Sequence, residues 1–390
     1  GCRRSRGRLF LYHRARRNSA LMERHVRTFA AARFDETGPT RDLIAPAEHQ
    51  REDYLEKYDF KTLWYDAIWD ADKVTVIAPK PLNFEPLIRG SKIMLDESPA
   101  RITSFRNFRR HSVITLPAQV SPKCLTMDAS QWRLESTIHV AEAHLFDGLN
   151  TALTISKNND LQWIQDWARF HVHHHGLEGV ALIANGSDLY APDDILDALE
   201  HAGLKVGLVA SAPLPFGPKA KPGPYRHGSS FLQTAHLNAL RRRVLGKARA
   251  VLQCDIDELV WTGGPSIFDL TCKRPFGLVR FPGTWRFIHE SLGTAPRHTD
   301  HRFIRDGSSD CPHKYCINPN GFFRRAEFNL HDLEGTVLAQ LFRSKSVKHW
   351  HCNSISTSWK NANRGDRLGT REDPEIAVAL DAAFSQPRPE

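Results

Sequence analysis

Between residues 151 and 260, short apolar runs alternate with stretches of helical period, and no other feature of the chain constrains its fold as tightly. Thr151-Ala152-Leu153-Thr154-Ile155 reads as a buried strand ending in Ser156-Lys157-Asn158-Asn159-Asp160. Leu161–His175 follows, with Trp163, Ile164, Trp167, Phe170 and Val172 largely on one helical face and Gly176 as its C-cap. A second strand, 180–184, ends in Asn185-Gly186-Ser187-Asp188. A helix over 192–202 opens on Pro192, a good first helical residue. A third strand covers 205–210. After a Pro/Gly/Lys loop and a helix over 229–245 comes a fourth, Val251-Leu252-Gln253-Cys254-Asp255-Ile256-Asp257-Glu258. Strands alternating with helices predict a doubly wound, mostly parallel α/β sheet. Ligands of such sheets bind at the carboxyl ends of the strands.

Those ends carry Asn158/Asn159/Asp160, Asn185/Ser187/Asp188 and Asp255/Asp257. Strand side chains alternate faces, so Asp255 and Asp257 project from one face with Ile256 turned away. Two carboxylates on one face suit a divalent cation that holds phosphate oxygens. The plain alternative is an exposed edge strand with solvated acids. A dinucleotide Gly-x-Gly-x-x-Gly and a Walker-type phosphate loop are both absent after the first strand, which disfavours dehydrogenase and ATPase chemistry.

The remainder of the chain divides by composition. The net charge of +9 originates in residues 1–33, which hold ten arginines and one acid, Glu23; the other residues balance at 43 basic and 43 acidic. A basic arm over 1–55 is therefore expected, flexible and able to contact anionic membrane, rather than a basic body for specific nucleic acid. Residues 56–148, with β-like runs at 74–78, 92–95, 101–105 and 112–118, predict a small β-rich N-terminal domain. The α/β domain is expected over 149–365, and a C-terminal helix and tail over 366–390. No apolar run reaches the roughly 20 residues a spanning helix needs, and no secretory h-region stands near the start. Seven scattered cysteines suit reduced thiols. A cytoplasmic protein, peripheral to the inner face of the membrane, is the resulting expectation.

Four segments carry a resemblance. Lys157-Asn158-Asn159-Asp160-Leu161 with Ile164, Trp167 and Phe170-His171 is similar to an opening Lys-Asn-Glu segment and its helix. Asn185-Gly186-Ser187-Asp188 is similar to an Asn-x-Ser-x-Asp tip, and Asp255-Ile256-Asp257 to Asp-x-Asp. His349-Trp350 with Ser354, Trp359 and Arg364-Gly365 looks like a closing His-Tyr…Lys-Ser…Arg-Gly. Over residues 150–365 the chain thus resembles the GT-A glycosyltransferases of family 2, in the branch close to family 92. Lys314, Pro319 and His331 resemble a Lys…Pro…His stretch of that branch. It departs in having Asn159 where Glu is usual, Trp350 for tyrosine and Asn353 for lysine.

The resemblance implies a GT-A fold and an inverting, metal-dependent transfer of sugar from a nucleotide diphosphate to a glycan or lipid-linked hydroxyl acceptor, in surface polysaccharide or glycoconjugate synthesis. Lys157, Asn158, Asp160, Asn185, Asp188 and Asp255 would bind the donor. Mn2+ or Mg2+ would be held by Asp255, Asp257 and His349, with His351 competing for the last place. An inverting enzyme needs a base for the acceptor hydroxyl. Glu290 is chosen from Glu290, Asp300, His331 and Asp332, because 285–290 follows a strand at 277–281.

Two other enzyme and binding classes stay open: a nucleotidyltransferase, and a non-catalytic glycan- or polyanion-binding protein. Cys311, His313, Cys316, His349, His351 and Cys352 are zinc-ligand types, but in no common zinc spacing. The histidines at 171 and 173–175 read as structural, at a helix end.

Overall fold

The computed structural model describes residues 21–290, 295–357 and 368–385. Its centre is a nine-stranded mixed sheet. The strands are β1 (Glu23–Thr28), β2 (Asn150–Ser156), β3 (Gly179–Ala184), β4 (Val206–Ser211), β5 (Ala250–Gln253), β6 (Glu258–Trp261), β7 (Leu278–Arg286), β8 (Cys311–Ile317) and β9 (Lys348–Cys352). Across the sheet they run β1-β4-β3-β2-β5-β8-β7-β9-β6. The first five are mutually parallel. β8 runs antiparallel to β5 and β7, and β6 antiparallel to β9. The expected doubly wound, parallel-rich sheet is present, and strand order reverses between β2 and β5.

β2, β3 and β4 are buried on both faces because helices cover both sides. On one side lie α1 (Leu161–His175) and α2 (Pro192–His201), whose Trp163, Trp167, Phe170, Ile195 and Leu199 pack on Ala152, Val180 and Val209. Gly176 closes α1 at φ +63°, a left-handed conformation that costs glycine nothing. On the other side α3 (Phe231–Arg243) lies between the large sheet and the strands of residues 62–140, so nearly every face of it is buried. Its polar residues are paired accordingly: Asn238 exchanges two hydrogen bonds of 2.8 Å with the Phe328 backbone. Two further helices, α4 (Ile267–Lys273) and α5 (Pro374–Phe384), complete the layer.

Residues 62–140 form a five-stranded and a four-stranded sheet around Val74, Val76, Ile114, Leu125 and Met127. The run expected at 101–105 divides instead into Ser98–Ala100 and Ser104–Asn107.

The flexible arm expected over 1–55 is folded from residue 21. β1 adds to the sheet edge beside β4, with Met22 buried. Arg24 pairs with Asp193, Asp197 and Glu200 on α2, and Arg27 with Glu142. Further on, Arg41 and Tyr54 are buried, and the Tyr54 hydroxyl meets Ser229 Oγ at 2.5 Å. Composition misled here because arginines that face acids across the fold look identical in sequence to solvated ones. Seven further arginines of the arm lie in 1–20, outside the described residues.

The histidines tie helices to strands. His171 donates from Nδ1 to the Trp167 carbonyl (2.8 Å) and accepts the Val260 N–H at Nε2 (3.2 Å). His175 donates from Nε2 to the Val260 carbonyl (2.8 Å) and accepts the Ile267 N–H (3.3 Å). His301 bridges Arg297 and Ser354 in the same manner. An imidazole that both donates and accepts must be neutral. Burial pushes all three below the ordinary value, His175 to about 4 and His301 to about 3. In the unfolded chain they bind protons near pH 6.5. Their contribution is thus complete above about pH 6.5 and is lost as pH falls toward the folded values. The urea midpoint should hold above about pH 7 and fall steadily below about 6.5, each histidine adding up to about 1.4 kcal/mol per pH unit. A midpoint unchanged down to about pH 5 would contradict this.

Candidate functional site

β5 ends at Gln253, and the acids that follow stand on a turn rather than on the strand. The reason is topological. From β5 in mid-sheet the chain must cross the ends of β8, β7 and β9 to start β6 at the far edge. Residues 254–257 make that crossing, and each acid meets the strand it passes. Asp255 Oδ2 accepts from Lys314 Nζ on β8 at 2.6 Å. Asp257 Oδ2 lies 2.9 Å from His351 Nε2 on β9. The Asp257 carbonyl accepts the Cys352 N–H at 2.8 Å, which locks the turn to β9.

Glu258, the first residue of β6, lies between them. It is buried; Oε2 accepts the Asp255 N–H at 2.8 Å and lies 3.1 Å from Lys314 Nζ. Sequence reasoning assigned it no role, although its place three residues after Asp255 brings it back over that backbone N–H. Lys314 has no solvent exposure. Burial alone would lower its pKa, but Asp255 and Glu258 together hold it well above the ordinary lysine range. Burial raises Glu258, against the pull of Lys314. Three carboxylates thus gather around one buried ammonium with an imidazole beside them, oxygen and nitrogen donors of the kind a divalent cation takes.

β-alternation puts His349 and His351 on one face of β9 and Trp350 in the core on the other. His349 fits only because residue 283 on the neighbouring strand β7 is glycine: a Cβ there would lie 2.1 Å from His349 Nε2. Burial first, then His351 and Lys314, keep His349 neutral. Both its ring nitrogens are buried without a hydrogen-bond partner among the described residues. Trp285 stacks on His351, with ring centroids 4.1 Å apart.

Two sets of ligand atoms, each within 4.8 Å of one another, overlap at His351: Asp257, Glu258 and His351, and Cys311, His349 and His351. The first, two carboxylates and an imidazole, has donors suited to Mn2+ or Mg2+; the second has zinc-type donors. His349, expected beside Asp257, instead joins Cys311. His351 takes the place against Asp257. Of the remaining zinc-type residues, Cys316 and Cys352 lie in the apolar core.

The first two strand tips are joined. Asn158 Nδ2 donates to Asp188 Oδ1 at 2.7 Å, and the Asp188 N–H returns to Asn158 Oδ1 at 3.0 Å. The Thr357 hydroxyl, beyond β9, donates to the Lys157 carbonyl at 3.1 Å, so the closing segment reaches the first tip. Two expected donor residues are otherwise engaged. Asp160 caps α1 through the Gln162 N–H (2.8 Å). Asn185 is buried and donates to the carbonyls of Ala212 and Leu214. Glu290 is exposed past the end of β7, and no hydrogen bond or ion pair among the described residues joins it to the acids. Asp332 pairs with Arg280 and Asp300 accepts the Arg297 N–H. Trp359, Arg364 and Gly365 lie outside the described residues.

No family model and no curated protein matches the sequence. Among solved structures, the chain is similar to an active-site mutant of LgtC at 17% identity, over 45% of this chain and 59% of that one, with a TM-score of 0.27. For the galactosyltransferase LgtC with donor and acceptor sugar analogues the values are 14%, 46%, 60% and 0.24. For GalNAc-T7 with UDP, GalNAc and Mn2+ they are 10%, 62%, 52% and 0.28. The chain spans between 52% and 60% of the length of these proteins. Likenesses this loose carry no weight for function, which must rest on the residues themselves.

Proposed function

We infer that this chain is a metal-dependent glycosyltransferase that moves a sugar from a nucleotide diphosphate to a glycan or other hydroxyl acceptor. The observation that carries the reading is the cluster of three carboxylates at the sheet's switch point, gathered around Lys314 with the His351 imidazole beside it. Asp257, Glu258 and His351 are the residues that would hold Mn2+ or Mg2+. A divalent cation there supplies charge stabilisation to the departing nucleotide diphosphate. Lys314 fixes Asp255 and Glu258 in place, so the site is set before substrate arrives. The linked Asn158 and Asp188, with Lys157, offer the donor's base and ribose a hydrogen-bonding wall beside the acids.

Glu290 is the proposed acceptor base, on the side lined by Trp285. Inversion, and a place in surface polysaccharide or glycoconjugate synthesis with a lipid-linked acceptor, follow the resemblance in sequence. A cytoplasmic position at the inner membrane face is proposed on the scattered cysteines and the arginine-rich start of the sequence. No helix among the described residues is long and apolar enough to cross a membrane.

Thermal unfolding with nucleotides tests the reading. UDP or GDP together with Mn2+ should stabilise the protein by about 2.7 kcal/mol at a hundredfold excess over Kd, while nucleotide without metal does much less. The nucleotide that works names the donor base. If no nucleoside diphosphate stabilises the protein in a metal-dependent way, the transferase reading fails.

A further inference from the structure

A second pocket lies where α3 begins, in a cavity of about 120 Å³. Its walls come from four parts of the chain. Arg110 is supplied by the β-rich region, Lys219 and His227 by the loop after β4, and Ser230 and Gln233 by the start of α3. His331 closes the wall beyond the strand Glu327–Phe328. None of the lining residues is acidic.

Three potential donors at this pocket lack a partner among the described residues. Arg110 Nε, Ser230 Oγ and Gln233 Nε2 are all buried without a hydrogen-bond partner among the described residues. Arg110 is 7%, Ser230 5% and Gln233 1% exposed, so bulk water does not serve them. All three atoms can donate, and two carry only donor hydrogens. A buried donor left unmade costs about 1–3 kcal/mol, and more for a charged group, so three together call for an acceptor-rich occupant.

Electrostatics agree with the geometry. α3, a thirteen-residue helix, begins at the pocket with Ser230 as its N-cap and Gln233 in its first turn both in the lining, so its positive dipole end lies there. Burial lowers His227 to about 4, with Arg110, Lys219, Arg226 and Arg109 adding to it, as expected in a strongly positive field. Burial likewise brings Arg110 down to about 10, with Arg109 adding to it. Glu334, the carboxylate that draws on Arg110, accepts the Arg109 backbone N–H and is not part of the lining.

We propose that this pocket binds a phosphate group of a substrate without the help of a metal. Arginine and lysine supply charge, and the Ser230 and Gln233 donors complete the shell of a tetrahedral oxyanion. The position fits a substrate that also reaches the acids. His331 donates to the His313 carbonyl at 3.2 Å, and His313 directly precedes Lys314, the partner of Asp255. The phosphate is either the donor's own diphosphate or one borne by a second substrate. The inference rests on the pocket's own chemistry and does not require the transferase reading.

Inorganic phosphate is the probe, followed by calorimetry and thermal unfolding of the full chain without sugar nucleotide. Wild type should show saturable binding that chloride at matched ionic strength does not reproduce. Lys219→Ala and Gln233→Leu should each weaken it tenfold or more. Lys219 is half-buried, so its variant tests the site even if a core substitution impairs folding. A phosphate response no greater than that of chloride, or one equal in both variants and wild type, overturns the proposal. A nucleoside diphosphate with Mn2+ then separates the sources: loss of phosphate binding identifies the donor's phosphate, and simultaneous binding identifies the second substrate's.

Discussion

Asp257→Asn will lower metal-dependent sugar transfer on the order of 10²–10³-fold while the protein stays folded. The side chain is partly exposed, and its backbone carbonyl, which secures the turn to Cys352, is unchanged by the substitution. What is lost is one of the carboxylates that would hold the cation. Thermal stability should hold or rise, because the acids at the turn repel one another less. Release of nucleotide diphosphate from a sugar nucleotide, measured against Mn2+ concentration, checks this. His351→Ala should give a loss of similar order, whereas His349→Ala should alter metal dependence less, because His349 sits behind Glu258 and beside Cys311. Wild-type turnover in Asp257→Asn, or turnover indifferent to metal, removes the cation from the site.

Lys314→Met acts on the fold instead. A fully buried ammonium is replaced by an apolar chain of similar length, which leaves Asp255 and buried Glu258 facing each other uncompensated. Breaking a buried ion pair from one side costs about 3–5 kcal/mol. Denaturant unfolding at neutral pH should show a loss of that size. Adding Glu258→Gln should recover a measurable part of it, since Asp255, the remaining acid, is less buried than Glu258. The sign with pH follows from Glu258, whose folded pKa is raised by burial and rises further without Lys314. A raised carboxylate withdraws stability as pH climbs past its unfolded value near 4.3, so the deficit against wild type should be largest at neutral pH and shrink toward about pH 4. A deficit independent of pH would mean that Lys314 acts by packing alone.

The two experiments separate roles that the sequence presents together. Asp255-Ile256-Asp257-Glu258 looks like one acidic run, and strand alternation made a pair of Asp255 and Asp257. In the fold each acid has a different neighbour. Asp255 and Glu258 share the buried Lys314, and Asp257 faces imidazole. Asn185 and Asp160 show the same limit: polar residues at strand tips read as binding groups, yet Asn185 pins a loop and Asp160 caps a helix. A side chain that satisfies local backbone is indistinguishable by type from one that awaits a ligand. Asn158 and Asp188 were legible as neighbours because two tips on adjacent parallel strands must lie side by side.

Local periodicity determined much by itself: strands alternating with helices, hence a parallel-rich sheet, its carboxyl-end tips, and acids at the end of β5. That information is short-range, carried by side chains two to four positions apart that share a face. Only the tertiary structure decided which residues complete the site. Lys314 stands 59 positions from Asp255, and His351 stands 94 from Asp257. Antiparallel insertion of β8 and the return of β9 bring them together, and Gly283 makes room for the neighbouring imidazole. Register between distant strands is set by the packing of the whole sheet, and no local pattern in the chain records it.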